Sequence, residues 1–408
     1  MKKRGAFFWN MAGCTVNAGA TVVLLAAVTR ICGAEGGGVF SIAFVTAQML
    51  MTLGAFGVRA YQASDMEEEF TFPQYLTHRL LTCALMVGAG ASWAFLSGYR
   101  GEKAAVAVLL CVFKMFDALA DVLEGRLQQK GRMDLAGKSL CLRTLLSTTL
   151  FVAALWLTEK LTFACILAVA GAAAGLVAFG LLPCRRYARL ALTGRLRRVG
   201  QLFARCAPLF FSLFILAYLV NAPKYAIDRL LPEQYQTYYN IISMPAQVIY
   251  LFSTFIFKPI ITDLAEDWQA GRRKKFRGAV TRLLLFTVGT TAATLAAAFA
   301  AGIPVLEGIY GVELSPYRTH LLLILVGGGL HGTANLLYYV LTVLRCQGSI
   351  FASAGAAFAA ALFLPGAWVS AAGMMGAVLS YGAVMLLLAL LMLFFLGWKY
   401  HKERGKQG

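Results

Sequence analysis

The chain has 408 residues, 59% of them hydrophobic and 14% charged, with a formal net charge of +18. An ordinary soluble domain carries roughly 25% charged residues, so this balance excludes a water-soluble globule; the charges are gathered in short islands between long apolar runs. The basic excess is accounted for by its placement at one membrane face and by anionic headgroups, without nucleic acid. The nine cysteines stand singly, with no CxxC pair or histidine cluster, and read as small hydrophobes.

In chain order, the first apolar run, 7–29, exceeds the roughly 7–15 residues of a signal-peptide core and is long enough to cross a bilayer. It therefore reads as an uncleaved first helix, despite the lipoprotein-like Met11-Ala-Gly-Cys14. Further spans are expected at 38–62, 75–96, 104–124, 139–157, 161–183, 202–228, 235–262, 280–301, 321–344, 350–369 and 373–396. They must be helices, because lipid offers no hydrogen bonds to the backbone and no segment alternates like a barrel strand. The fold class is an all-α polytopic membrane protein of about twelve transmembrane helices.

Lysine and arginine set the orientation. The islands at 2–4, 126–138, 185–198, 272–277 and the tail carry most of them, whereas the opposite side holds Arg30, Arg100, Lys103, Lys160, Arg229 and Arg318. The positive-inside rule places both termini in the cytoplasm, as an even span count requires. The basic stretch 184–200 then reads as a cytoplasmic linker between two six-helix bundles, 1–183 and 201–398, with a basic tail at 399–408.

The bundles echo one another. Arg30, Glu35, Phe40, Arg59 and Asp65 align with Arg229, Glu233, Tyr238, Lys258 and Asp263 in one register, to within a residue. Two parallel halves of six helices imply a pseudo-twofold axis along the membrane normal and a central cavity, the geometry of alternating access. The longest outward loop, 302–317, is too short for the acceptor domain of a polymerase or ligase, and no nucleotide-binding phosphate loop occurs.

An ionisable group at mid-membrane costs at least about 2.5 kcal/mol on insertion scales, so each needs a partner or a wet cavity. Arg30, Arg59, Lys224 and Lys258 read either as snorkelling cations near span ends or as a cationic, anion-binding lining. Asn221, Lys224 and Asp228 share one face of the seventh helix, beside Pro223, which offers a hinge. Lys114, Asp117 and Asp121, extended by Glu124, make a stripe on the fourth helix: an intrahelical ion ladder, or a network coupling transport to protons or sodium. Asn10 and Asn17 on the first helix, Asn221, and Asn335 in the stripe His331, Asn335, Tyr338, Thr342 suit either a sugar path or polar helix packing. No catalytic group, metal site or cofactor motif is expected; a proton or sodium gradient or the membrane potential is left as the energy source.

The segments Thr29-Arg-Ile-Cys-Gly-Ala-Glu-Gly-Gly-Gly-Val-Phe-Ser41 and Gly57-Val-Arg-Ala-Tyr-Gln-Ala-Ser-Asp65 resemble the polysaccharide flippases of the multidrug, oligosaccharidyl-lipid and polysaccharide exporter superfamily. Ala222-Pro-Lys-Tyr-Ala-Ile-Asp228 and Ser243-Met-Pro-Ala-Gln-Val-Ile249 are similar to that family's seventh and eighth helices. The resemblance implies two six-helix bundles around a cationic cavity that moves undecaprenyl-pyrophosphate-linked oligosaccharide to the outer leaflet. It also implies partnership with membrane lipids, a polysaccharide polymerase and glycosyltransferases. Cavity arginines of the related lipid II flippases fall at Arg30, Arg59 and Lys258; lysine at the third keeps the charge but loses the bidentate fork. A cation-coupled drug exporter of the same architecture, a membrane-embedded glycosyl- or acyltransferase and a membrane scaffold are the alternatives. The first would prefer acidic cavity residues, and the second would need an outer domain.

Overall fold

The computed structural model describes the backbone of residues 2–65 and 67–404, and the side chains of 5–63, 65, 67–250, 257, 260 and 263–400. Among the described residues the chain is helical, without strands. Eight helical segments among the described residues are long and apolar enough to cross a membrane. Two of these, α1 (Lys2–Ala55) and α13 (Gln347–Arg404), have 54 and 58 residues. At 1.5 Å per residue each would run to about 80 Å or more, against a hydrocarbon core of about 30 Å. Each is divided by a break: α1 at Gly33 (φ 72°, ψ −174°) and α13 at Ala372–Gly373 (Gly373 φ 57°). Adding the long but more charged α4 (Gly101–Gln129) and α9 (Glu233–Gln269) gives twelve spans, six to each half of the chain.

The remaining helices of the first half are α2 (Val58–Ser64), α3 (Phe72–Leu96), α5 (Met133–Thr158), α6 (Leu161–Gly175) and the single turn α7 (Leu182–Cys184). The second half has α8 (Leu196–Leu230), α10 (Arg273–Ala297), α11 (Ile303–Tyr310) and α12 (Arg318–Val343). The chain packs as two compact units, Met1–Phe214 and Ile215–Gly408, which meet in sequence inside α8.

Two expectations about span boundaries are corrected. The second span does not run through 38–62: α1 ends at Ala55, Phe56 (φ 50°) and Gly57 (φ 67°) are both left-handed, and α2 begins afresh at Val58. The outward stretch 302–317 is mostly helix, because Ile303, Leu306 and Tyr310 recur at helical spacing and are buried; the chain leaves the helix only at Gly311 (φ 70°). At Pro223, where a hinge is expected, the backbone stays helical on both sides. Wide π-helical turns occur instead at Leu176–Leu181 and Ala298–Gly302, just ahead of Pro183 and Pro304, where a proline ring crowds the preceding turn.

The break at Phe56–Gly57 has identifiable causes. The Phe56 ring stacks on Phe210 of α8 (4.4 Å between centroids, 11° between planes) and meets Phe203 edge-on at 5.2 Å. Such aromatic pairs contribute about 0.5–1.5 kcal/mol each beyond their burial. Gly57 lets the chain turn without a Cβ, which would also lie 3.0 Å from Leu209. Gly57→Val is expected to destabilise the protein by about 2 kcal/mol, from left-handed strain and that contact together, read as a lowered midpoint of thermal unfolding in detergent; an unchanged midpoint would show the turn to be unconstrained.

In the second unit, α12 is the central rod. Its Gly327, Gly328 and Gly329 each abut a different neighbour, Tyr381 of α13, Ala246 of α9 and Thr291 of α10. Small residues let helix backbones approach closely where lipid offers no hydrophobic drive to association.

Candidate functional site

The first unit holds a continuous buried ion network built on α4. Its Asp117, Asp121 and Glu124 follow at three- and four-residue spacing and so share one helix face. Lys114, two faces of which lie against the Phe44 and Phe113 rings (4.7 and 5.3 Å), pairs with Asp117 at 3.0 Å. The ladder is only partly intrahelical, because the other cations arrive from three neighbouring elements. Arg59 of α2 reaches Asp121 at 3.0 Å and Glu124 at 3.1 Å and donates from Nε and Nη2 to Gln128 Oε1, both at 3.3 Å. Arg79 of α3 meets Asp121 at 2.8 Å, and Arg143 of α5 pairs with Asp117 and lies 3.7 Å from Glu124.

Arg79 also explains how the broken helix is closed. The break removes the amide that would bond the Gly54 carbonyl in a continuous helix, and Arg79 Nη1 and Thr82 Oγ1 donate to that oxygen instead, each at 2.7 Å. One carboxylate, Asp121, thereby ties together both sides of the break: through Arg79 the end of α1, through Arg59 the start of α2. Exposure falls steeply across the network. The side chains are 30% exposed at Arg59, 20% at Asp121, 3% at Arg143 and 0% at Arg79.

Beyond the end of α2 the acidic turn is anchored rather than loose. The Asp65 carboxylate accepts from the Glu69 and Phe70 amides (2.8 and 3.1 Å) and from the Tyr75 hydroxyl at 2.8 Å. Glu68 pairs with Lys130 and with Arg126 at 2.9 Å, and Glu69 with Arg205 at 2.5 Å. Hydrogen bonds from Lys130 first, then Arg126, hold the Glu68 carboxyl below the usual carboxylate range. A depressed folded pKa stabilises above the unfolded value, and the contribution fades as pH falls through the folded one. The protection from hydrogen exchange that the native turn holds over Glu68→Gln is therefore expected to be full at neutral pH and to vanish below the ordinary carboxylate range. A difference that persisted there would remove Glu68 as its source.

In the second unit Lys224 is 4% exposed, near the C-terminal end of α8, and forms neither an ion pair nor a hydrogen bond with any described residue. Asn221 and Asp228 lie on the same helix, half-buried; the Asn221 amide is engaged by the Ala217 carbonyl at 2.9 Å. On α12, His331 stacks on Tyr250 (4.6 Å, 12°), Asn335 is half-buried, and Thr342 bonds back to Tyr338. Arg30 and Asn17 are exposed on α1 and Asn10 is half-buried there, beside Gly137 of α5, whose missing side chain admits the backbone at Trp9 and Asn10. The side chain of Lys258 lies outside the described residues. The structure thus gathers Arg59, Lys114, Asp117 and Asp121 into one cluster, completed by Glu124, Arg79 and Arg143. The two arginines were not singled out from sequence; their signal was a lone arginine inside an apolar span facing an excess of carboxylate on α4.

The sequence matches the model of a family described as polysaccharide biosynthesis protein over residues 5–265, which includes the whole network and Lys224. No curated protein sequence matches it. Among solved structures it is similar to the lipid II flippase MurJ in its inward closed conformation (TM-score 0.73, 13% identity, 96% of this chain and 87% of that one). An inward-facing multidrug resistance MATE transporter of the MOP superfamily aligns with TM-score 0.69 at 11% identity, over 98% of each chain. The Vibrio cholerae MATE transporter VcmN in its bent form aligns with TM-score 0.62 at 13% identity, over 98% of this chain and 97% of that one. At these identities the likeness speaks for the fold, and the family model for membership: the chain belongs to the polysaccharide biosynthesis protein family and has the fold of the MOP superfamily of membrane transporters.

Proposed function

We propose that the protein is a flippase that carries an undecaprenyl-pyrophosphate-linked oligosaccharide from the inner to the outer leaflet of a bacterial cytoplasmic membrane, for cell-surface polysaccharide assembly. The observation that carries this reading is Lys224, an ammonium enclosed in a membrane helix with no counter-charge among the described residues. A buried charge is tolerated when a partner meets it, and a visiting anion is such a partner. Pyrophosphate cannot enter hydrocarbon unaccompanied, whereas the prenyl tail can stay in lipid throughout. Alternation between inward-open and outward-open states then delivers the headgroup without covalent chemistry. Arg30, Arg59 and Lys258 join Lys224 as headgroup cations, and Asn10, Asn17, Asn221 and Asn335 serve the glycan. A proton or sodium gradient acting on Asp117, Asp121 or Asp228, or the membrane potential, drives the cycle. Family membership supports a role beside glycosyltransferases and a polymerase, and the basic islands support cytoplasmic termini. A cationic drug would meet Lys224 as a repulsive charge.

The test is reconstitution. In sealed liposomes, labelled lipid-linked oligosaccharide in the lumenal leaflet is expected to become accessible to an impermeant quencher only when the protein is present. Efflux of a cationic dye without movement of the glycolipid would overturn the reading.

A further inference from the structure

At the end of the second unit away from the turn that joins α9 to α10, four rings stand in a row. Tyr235 and Tyr238 come from the first two turns of α9, Tyr317 closes the 3-10 turn Ser315–Tyr317, and His320 lies in the first turn of α12. Successive centroids are 6.2, 5.0 and 5.4 Å apart, with the central Tyr238–Tyr317 pair tilted by 30° and the outer two contacts edge-on. All four residues are half-buried. The three tyrosine hydroxyls bond to no described residue and reach the surface, and His320 Nδ1 is enclosed without a described partner. Glu307 pins the turn that carries Tyr317 by accepting from the Leu314 amide at 2.7 Å and from the Ser315 hydroxyl at 3.0 Å.

Two plainer roles fit these rings poorly. Packing alone asks for phenylalanine, and Phe40, which matches Tyr238 in the register of the two halves, has that form: it is 2% exposed and packs on Phe44 and Phe151. A lipid-facing aromatic belt asks for open, separate rings. Phe95 and Trp156, near the ends of α3 and α5, are of that kind, 82% and 74% exposed with no described ring beside them. A pyranose ring presents apolar C–H faces and a rim of hydroxyls. Tyrosine meets both, with a flat apolar face and an O–H, and loses little conformational freedom in doing so. Resting on the flippase reading, we propose that Tyr235, Tyr238, Tyr317 and His320 form a carbohydrate platform on which sugar rings of the transported glycan stack, at the end that the basic islands make the outer one. The row holds no carboxylate, lysine or arginine, so it selects the glycan rather than the diphosphate.

The probe is the free oligosaccharide released by mild acid from the lipid-linked oligosaccharide of the organism that encodes the protein; it carries neither the lipid nor the diphosphate. Saturation-transfer NMR on full-length protein in nanodiscs reads which sugar protons touch the protein. Transfer to sugar C–H protons is expected with the native protein. Affinity is expected to fall about fivefold in Tyr238→Leu and in Tyr317→Leu, the scale of one aromatic contact. Tyr238→Phe keeps the ring face, loses one hydroxyl and should fall only about twofold, which separates stacking from misfolding. Phe95→Leu and Trp156→Leu, changes at belt rings, should bind as the native protein does. The proposal is overturned by absence of transfer in the native protein, by native affinity in both platform leucine variants, or by equal losses at platform and belt. Displacement of the oligosaccharide by inorganic pyrophosphate would also overturn it, since the sugar would then sit at a headgroup site. Intact glycolipid flipping without oligosaccharide binding would sink this inference alone, whereas binding through these rings with no flipping would sink the flippase reading alone.

Discussion

Replacing Arg143 with methionine is expected to destabilise the protein by about 3–5 kcal/mol, the range for breaking a buried ion pair from one side. The side chain is 3% exposed, and its guanidinium serves Asp117 and Glu124 at once. Methionine fills much of the volume, so the loss is electrostatic rather than a cavity. Two carboxylates would remain in the interior with only Lys114 and Arg59 to meet them. Lysine at this position should recover part of the loss, since it restores the charge without the fork that reaches two acceptors. Arg132→Ala, which breaks an exposed pair with Asp134, provides the contrast and should shift stability by less than about 1 kcal/mol. The measurement is thermal unfolding of detergent-solubilised protein followed by size-exclusion chromatography. An Arg143→Met protein as stable as the native one would show that the network is wetter than its burial indicates.

The second large effect concerns function. Lys224→Met is expected to leave membrane insertion and thermal stability intact or improved, because a buried ammonium with no counter-charge among the described residues is removed. Delivery of labelled lipid-linked oligosaccharide should fall by a factor of about 100, as for loss of a charged contact worth 2–3 kcal/mol. The two readouts moving in opposite directions is the informative outcome, since a residue kept for packing would lower both together. Lys224→Arg keeps the charge and should retain a measurable fraction of the delivery. Native delivery by the methionine variant would remove Lys224 from the transport path.

The spans were legible because hydropathy alone decides what faces lipid; the break at Gly33 falls between Arg30 and Glu35, and that at Ala372–Gly373 in a stretch of small residues after Ser370. The break at Phe56–Gly57 was hidden inside an apolar run. Its causes are tertiary: Phe210 and Phe203 from α8 hold the ring, and Arg79 from α3 takes the freed carbonyl. The helical stretch after Gly302 was missed because glycine and proline there read as a loop, whereas the structure absorbs both in a π-helical turn. Within the site, Lys114, Asp117, Asp121 and Glu124 were visible because their spacing lies within one helix. Arg79 and Arg143 were not, since each sits alone in its own span and pairs across helices. Three carboxylates and one lysine on a single stripe nevertheless implied that cations had to come from elsewhere.

The Phe56–Gly57 break also sets the level at which Arg59 stands. Residues 34–55 of α1 comprise enough helix, about 33 Å at 1.5 Å per residue, to traverse the hydrocarbon unaided. The break thus places α2, and Arg59 on it, beyond one full span's length of helix rather than within it. On the flippase reading proposed above, a diphosphate held at headgroup level would then meet Arg59 without first changing depth.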